Sequence, residues 1–240
     1  MRRLIGLALG AMMLPGIAIA SEAGDQLAEL LYDGEAAGQR AIYEEQCAVP
    51  HADACFGLGL IDLIGAIEGL SQGFYRHGAV TPRLPAAAMM LGLDADMPTG
   101  PANPEPEALD YAVLRGILGD FVDGLDRARA SFEAAGAEGD YVITIDPLRV
   151  RLDINGDGAV GEQETLATLL DGELALPQGK SKGDKTVVPD LSIGFDRADA
   201  IWLAGYTQVV ALQLDFMLAH DFAAFFEASM HLLFPGAGLP

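Results

Sequence analysis

Oxygen-bearing side chains occupy three alternate positions, Asp153, Asn155 and Asp157. A fourth, Glu164, follows seven residues later. Short side chains at alternate positions converge on one point when the chain curls, and the longer Glu164 can reach back with both carboxylate oxygens. Gly158 stands where the backbone must turn sharply, which favours a residue without a Cβ. Hard divalent cations take roughly six to eight oxygen ligands at about 2.3–2.6 Å. The spacing therefore predicts a divalent-cation site.

The other positions of residues 153–164 fit the same geometry. Ala159 would bind the cation through its carbonyl oxygen, and a water molecule would be the ligand at Gly161, which has no side chain. Val160 supplies an apolar residue at the eighth position of the loop. The stretch resembles the calcium-binding loop of the EF-hand family, D-x-[DN]-x-[DN]-G with Glu after five further residues. The resemblance implies a Ca²⁺ site with a water-mediated position at Gly161 and with the following ligands: Asp153, Asn155, Asp157, Ala159 and Glu164.

The segment before the loop departs from the family pattern. An EF-hand has a full helix there, whereas residues 146–152 leave room for little more than one turn, and Leu148, Val150 and Leu152 alternate as in a strand. EF-hand loops usually come in pairs, and we find no second loop of this quality. We expect an EF-hand-like module over about 146–172. A turn that binds no metal is the alternative, although unpaired carboxylates would repel one another there.

The first twenty residues have the pattern of a secretory signal peptide. Arg2 and Arg3 precede an apolar stretch over 4–19, and small residues at 18 and 20 form a cleavage site before Ser21. A membrane anchor is the alternative, but the stretch is short for a span of about 20 residues. We therefore expect a periplasmic or secreted protein, a mature chain over 21–240 and no membrane span after cleavage.

The charge of the chain excludes some partners. Removal of residues 1–20 leaves 12 Lys and Arg against 35 Asp and Glu, a net charge of −23. Such an acidic surface repels nucleic acid and anionic membranes, because binding them requires clustered basic side chains. The only lysines, Lys180, Lys182 and Lys185, share one polar loop.

Cys47 and Cys55 are the only cysteines of the chain. Their spacing matches no metal-binding motif, and an even number of cysteines in an exported chain favours a disulfide. Two buried thiols are the alternative. A nucleophilic cysteine is disfavoured, because only His51 is near in sequence and nothing completes a catalytic set.

The apolar spacing predicts a mainly α fold, a single domain of about five substantial helices with one inserted loop and at most short strands. Two helices have a one-sided apolar face. The first contains Phe56, Leu60, Leu63, Ile67, Leu70 and Phe74, and the second, over 107–135, contains Leu114, Ile117, Phe121, Leu125, Ala128 and Phe132. We interpret a glycine row at 65, 69 and 73 as a surface where another helix approaches closely.

The region after the second helix carries short elements and a long helix. A strand is predicted over 141–145, a short helix over 162–172 and a polar loop over 176–190. Asp196 or Asp190 would cap a helix that continues to about 219. Because that helix is apolar almost all round, we expect it to be buried, with Trp202 and Tyr206 in the core and at its polar rim. A final short helix is predicted over 221–233.

We expect an exported, non-enzymatic calcium-binding protein in which Ca²⁺ is structural and which acts as a scaffold or binds another envelope protein. The alternatives are a calcium-stabilised hydrolase and a carrier of apolar ligands, the latter supported by the Phe- and Met-rich C-terminal helices. A hydrolase would use titratable side chains such as His77, His220, Asp221, His231 and Glu68. No nucleophile elbow or zinc motif is present, so we assign no catalytic or cofactor-binding residue.

Overall fold

The computed structural model describes residues 22–49, 51–80, 102–137, 139–161, 164–169 and 191–239. The signal peptide predicted over 1–20 and the polar loop predicted over 176–190 lie outside these ranges, as do the three lysines.

The described residues form seven α-helices and one two-stranded sheet, which confirms the mainly α prediction. In chain order these are α1 (Glu22–Asp33), α2 (Arg40–Ala48), α3 (Ala52–Arg76), α4 (Tyr111–Ala137), β1 (Ile143–Ile145), α5 (Leu166–Leu169), β2 (Ile193–Phe195), α6 (Arg197–Leu218) and α7 (Ala223–Ser229). Short 3₁₀ turns occupy Ala36–Gln39, Pro147–Arg149 and Met230–Leu232. The final helix predicted over 221–233 is thus α7 followed by a 3₁₀ turn.

The long helices α3, α4 and α6 form the centre of the fold, with α4 packed between the other two. The register predicted for α4 is confirmed, because Leu114, Phe121 and Phe132 are buried. Four aspartates on or beside the opposite face of α4 are exposed: Asp110, Asp120, Asp123 and Asp126.

α3 approaches α4 closely at Gly59 and Gly73, and only Gly73 belongs to the predicted glycine row. A Cβ on Gly59 would lie 2.6 Å from the Phe132 ring, and one on Gly73 would lie 2.9 Å from Ile117. Gly65 and Gly69 have nothing within 4 Å of such an atom and are exposed. The prediction for the glycine row is therefore correct for Gly73 and wrong for the other two, because α4 follows a different face of α3.

Aromatic side chains connect the helices to the sheet. The Phe56 ring lies 5.6 Å from Phe132, 5.8 Å from Tyr141 and 5.8 Å from Phe195 between ring centroids. β1 and β2 pair in antiparallel register, with Ile143 opposite Phe195. The predicted strand is confirmed at 143–145, and the sheet brings the start of α6 beside the end of α4.

The prediction that α6 is buried all round is wrong. Its N-terminus is capped as expected, because the Asp196 carboxylate accepts from the Ala198 and Asp199 amides. The side chains buried on the helix are small: Ala200, Ala204, Thr207 and Ala211. Trp202 is 64% exposed and Tyr206 50% exposed, so neither belongs to the core. The apolar content of α6 does not reveal which of its faces α4 covers. α4 packs against the face of α6 that carries the small residues.

A disulfide joins α2 to α3. Cys47 and Cys55 are bonded, with their Cα atoms 4.6 Å apart, which confirms the predicted pair and excludes two free thiols. Closing so short a loop stabilises the fold by about 2.5 kcal/mol in the chain-entropy account.

Two helices of the described ranges, α3 and α6, are long and apolar enough to cross a membrane by length and composition. Half of the apolar window of α3 is buried within the protein, and α3 carries Asp62 and Glu68. Only 17% of the corresponding window of α6 is buried. α6 therefore presents an apolar surface outward, whereas neighbouring elements cover half of the apolar window of α3.

Candidate metal centre

The loop over 153–164 is closed at its base by two backbone hydrogen bonds. The Leu152 amide donates to the Glu164 carbonyl at 2.9 Å, and the Leu166 amide donates to the Val150 carbonyl at 2.8 Å. Arg151 and Thr165 form the antiparallel bridge between these bonds. The two ends of the candidate site are thus joined independently of any cation.

The segment before the loop is not an EF-hand helix. Pro147–Arg149 is a 3₁₀ turn, capped by the Asp146 carboxylate, which accepts from the Leu148 amide at 3.0 Å. Only Arg151 takes part in strand-like pairing. As predicted, the segment before the loop is shorter than an EF-hand helix. The strand predicted there is reduced to one bridge residue, Arg151. After the loop, α5 lies within the predicted 162–172 helix.

The first half of the loop is organised around Asp153. Its Oδ1 accepts from the Gly156 amide at 2.7 Å, and its Oδ2 accepts from the Gly158 amide at 3.1 Å. Both glycines have a φ of +76°, a conformation that side chains with a Cβ rarely adopt. The turn predicted at Gly158 is present, and Gly156 is a second residue of the same kind.

The other candidate ligand side chains bond to nearby loop atoms. Asn155 Oδ1 accepts from the Asp157 amide at 2.8 Å, and the Asp157 carboxylate accepts from the Ala159 amide at 2.8 Å. Glu164 is only 6% exposed, and its carboxylate accepts from the Gly161 amide at 2.8 Å. All these side chains turn inward toward the loop backbone.

The three loop carboxylates are not gathered around one point. Within the described ranges, no group of three or more His, Cys, Asp or Glu side chains lies close enough together to hold a metal ion. Each carboxylate oxygen has about two lone-pair sites, so oxygens that accept from backbone amides keep acceptor capacity for a cation. Binding of Ca²⁺ would require Asp153, Asp157 and Glu164 to move toward one another.

Two side chains of α3 bind the backbone of the first candidate ligand. The Asp153 amide donates to Glu68 Oε1 at 2.9 Å, and Gln72 Nε2 donates to the Asp153 carbonyl at 2.7 Å. Sequence reasoning missed this contact. The available signal was the spacing of two polar residues four positions apart, which places them on one face of an otherwise apolar helix.

Negative charge accumulates where α3 meets the loop. Burial raises the pKa of Glu68, and the nearby Asp153 and Glu164 carboxylates raise it further, whereas the hydrogen bond from the Asp153 amide opposes the shift. Within the described ranges, the loop thus places carboxylates that have no ion pair next to the partly buried Glu68. A divalent cation in the loop would remove part of this repulsion.

Val160 joins the loop to the end of α1. A Cβ built on Gly34 would lie 2.5 Å from Val160 Cγ2, and Gly34 has a φ of +72°. Val160 therefore packs against the turn after α1.

We expect Glu68→Gln to stabilise the calcium-free protein. The amide oxygen can still accept from the Asp153 amide, while the charge beside Asp153 and Glu164 is removed. Because folding raises the pKa of Glu68 above its ordinary value of 4.5, the wild type loses stability relative to the variant as pH rises through and beyond that value. Thermal melts in chelator between pH 4 and 8 measure this. A constant difference in melting temperature across that range would contradict it.

Three of the residues considered for a hydrolase make hydrogen bonds within the fold: His77, His220 and Asp221. His77 Nδ1 lies 3.1 Å from the Glu107 carbonyl, and His220 Nδ1 lies 2.7 Å from the Phe216 carbonyl. The Asp221 carboxylate accepts from the Tyr111 hydroxyl at 3.1 Å. His231 lies in the last 3₁₀ turn.

A shallow cleft with a cavity volume of about 10 Å³ lies between α1, α3 and the segment before the loop, lined in part by Leu31, Ile64, Glu68 and Arg151. Such a cleft has room for about one water molecule, whereas small-molecule sites usually enclose about 300–1,000 Å³. It therefore does not favour the carrier hypothesis.

No protein-family model, curated protein or solved structure matches the chain. The interpretation of the loop therefore depends on its own residues and contacts.

Proposed function

We propose that the protein is an exported calcium-binding scaffold, not an enzyme, in which one Ca²⁺ stabilises the connection between α4 and α6. The observation that carries the proposal is the agreement of the EF-hand-like pattern at 153–164 with a loop whose base is closed by backbone hydrogen bonds. The proposed ligands are the carboxylates of Asp153, Asp157 and Glu164, the amide oxygen of Asn155 and the carbonyl of Ala159, with a water at Gly161.

Packing supports a structural role for the cation. Glu68 and Gln72 bind Asp153 from α3, and Val160 contacts the turn after α1. An ion at the loop would therefore join three parts of the fold that are distant in sequence. With three carboxylates and a water-mediated position in a single site, we expect a Kd on the order of 10⁻⁵–10⁻³ M.

Export is supported by the signal-like segment at 1–20 and by the Cys47–Cys55 disulfide, which is typical of oxidising compartments. A site of modest affinity would stay filled where millimolar Ca²⁺ is available. There it would stabilise the fold permanently, and the protein would present its acidic surface to another envelope protein.

We expect Ca²⁺ to raise the melting temperature of the mature, chelator-treated protein, while Mg²⁺ has little effect. At a Kd of 10⁻⁴ M, 1 mM Ca²⁺ would stabilise the folded state by about 1.4 kcal/mol. Asp153→Ala and Glu164→Gln should abolish both this shift and the heat of binding in calorimetric titration.

Glu45→Gln is the matched control, because Glu45 is exposed on α2 and its replacement removes one carboxylate away from the loop. It should leave calcium binding unchanged. Identical melting curves in chelator and in millimolar Ca²⁺, or an equal loss of binding in the control, would refute the proposal.

A further inference from the structure

α6 carries an exposed apolar seam with the spacing of a helix that packs on another helix. Its residues follow in steps of three and four: Trp202, Gly205, Val209, Leu212 and Phe216. All five are exposed; Val209, Leu212 and Phe216 are 59%, 65% and 70% exposed. Alternating steps of three and four keep apolar residues on one line along paired helices. We call this set the α6 seam.

The exposed area around the seam is large enough for a specific interface. Fully buried aromatic side chains account for about 150–250 Å² each. With the exposures of Trp202, Tyr206 and Phe216, the rings alone present on the order of 400 Å². Ile201, Val209 and Leu212 are each more than half exposed and bring the total to roughly 600 Å². A standard interface buries about 800 Å² per partner, and the flanking backbone can supply the difference.

The distribution of charge selects the kind of partner. The chain has a net charge of −21, yet residues 200–214 contain no charged side chain. Two copies can therefore meet along the seam without burying a charge. Helices that lie on lipid surfaces carry Lys and Arg beside the apolar face. Here the uncharged stretch is flanked by Asp199 and Asp215, and the nearby Arg197 donates to the Gly136 carbonyl.

We propose that the α6 seam is a dimerisation surface on which a second copy of this chain packs its own α6 in antiparallel orientation. With the two-fold axis at Val209, Trp202 lies opposite Phe216 of the second copy, because each is seven residues from the axis. Gly205, which has open space around its Cα, allows the helices to approach closely. A parallel arrangement would bring the Asp199 carboxylates of the two copies to the same end of the interface. This inference goes beyond the proposed calcium function and does not require it.

The test is the sedimentation of the full mature chain over a range of concentrations. We expect the wild type to form a concentration-dependent dimer, and Val209→Asp to weaken association by at least about 100-fold, because it places two carboxylates at the axis. Val49→Asp is the matched control: Val49 on the surface after α2 is also 59% exposed. It should leave the dimer intact, and circular dichroism should show that both variants are folded.

Cysteine cross-linking tests the orientation. A mixture of Trp202→Cys and Phe216→Cys chains should cross-link between unlike copies, and Val209→Cys should cross-link with itself. Self-cross-linking of Trp202→Cys would overturn the antiparallel arrangement. A wild type that stays monomeric at high micromolar concentration, or one that is monomeric and binds phosphatidylcholine vesicles through α6, would overturn the proposal.

Discussion

Replacing Arg40 with Met is expected to destabilise the protein by about 3 kcal/mol. Arg40 Nε donates to Asp62 Oδ1 at 2.7 Å, and the Asp62 side chain is 3% exposed in the middle of α3. The hydrogen bond to Asp62 is the main cause that raises the pKa of Arg40. Removing one partner of a buried pair leaves a desolvated charge and costs about 3–5 kcal/mol. Because Arg40 itself is partly exposed, the lower value is expected.

Chemical denaturation at neutral pH measures this loss, and two further variants identify its cause. Glu44→Gln removes the exposed partner of Arg40 and should cost less than about 0.5 kcal/mol. The double variant Arg40→Met with Asp62→Leu should recover most of the stability, because no buried charge remains. Equal destabilisation in the single and double variants would show that the loss comes from packing.

Gly34→Ala is expected to destabilise the protein by about 3 kcal/mol and to weaken calcium binding. A φ of +72° costs a residue with a Cβ about 1–2 kcal/mol. The new atom would also lie 2.5 Å from Val160 Cγ2, and such overpacking adds about 1–3 kcal/mol. Since Val160 belongs to the loop, its displacement should be transmitted to the ligands on either side.

Gly38→Ala is the matched control for this change. Gly38 lies in the 3₁₀ turn just after Gly34, and a Cβ there meets nothing within 4 Å. It should be neutral in stability and in calorimetric titration. Adding Val160→Ala to Gly34→Ala should relieve the steric part of the loss and leave the backbone part. An unchanged melting temperature in Gly34→Ala would contradict the structure of this turn.

Those parts of the fold that depend on local periodicity were predictable. The buried line Leu114, Phe121 and Phe132 follows from helical spacing alone, and Asp196 has the residue type and position of a helix cap. The disulfide follows from an even cysteine number in a chain with a signal-like start.

The orientation of α6 was not predictable, because every face of this helix is apolar. Periodicity indicates a buried face only when the opposite face is polar. Here Ala204 and Ala211 face α4 while Leu212 and Phe216 face outward. Side-chain size, which decides how closely two helices approach, selected the buried face. The wrong prediction for Gly65 and Gly69 has a similar cause, because the spacing of these glycines does not show which face of α3 packs against α4.

The loop pattern of the candidate site could be recognised from the sequence, but neither the separation of its carboxylates nor its supports could be predicted. The pattern at 153–164 is contiguous, so its positions can be recognised in one chain. Glu68 and Gln72 precede Asp153 by more than eighty residues, and only the fold brings them to its backbone. Gly34 is still more remote from Val160 in the sequence. Such contacts leave no periodic signal.

The order of the long helices in the chain has a consequence for folding. α3 and α4 precede α6 and can pair before α6 docks on them. Until then, the groove of α4 that receives Ala200 and Ala204 stays bare. A chain truncated before residue 197 would expose that groove to chaperones and proteases. Docking of α6 is therefore the step that protects the paired helices from degradation.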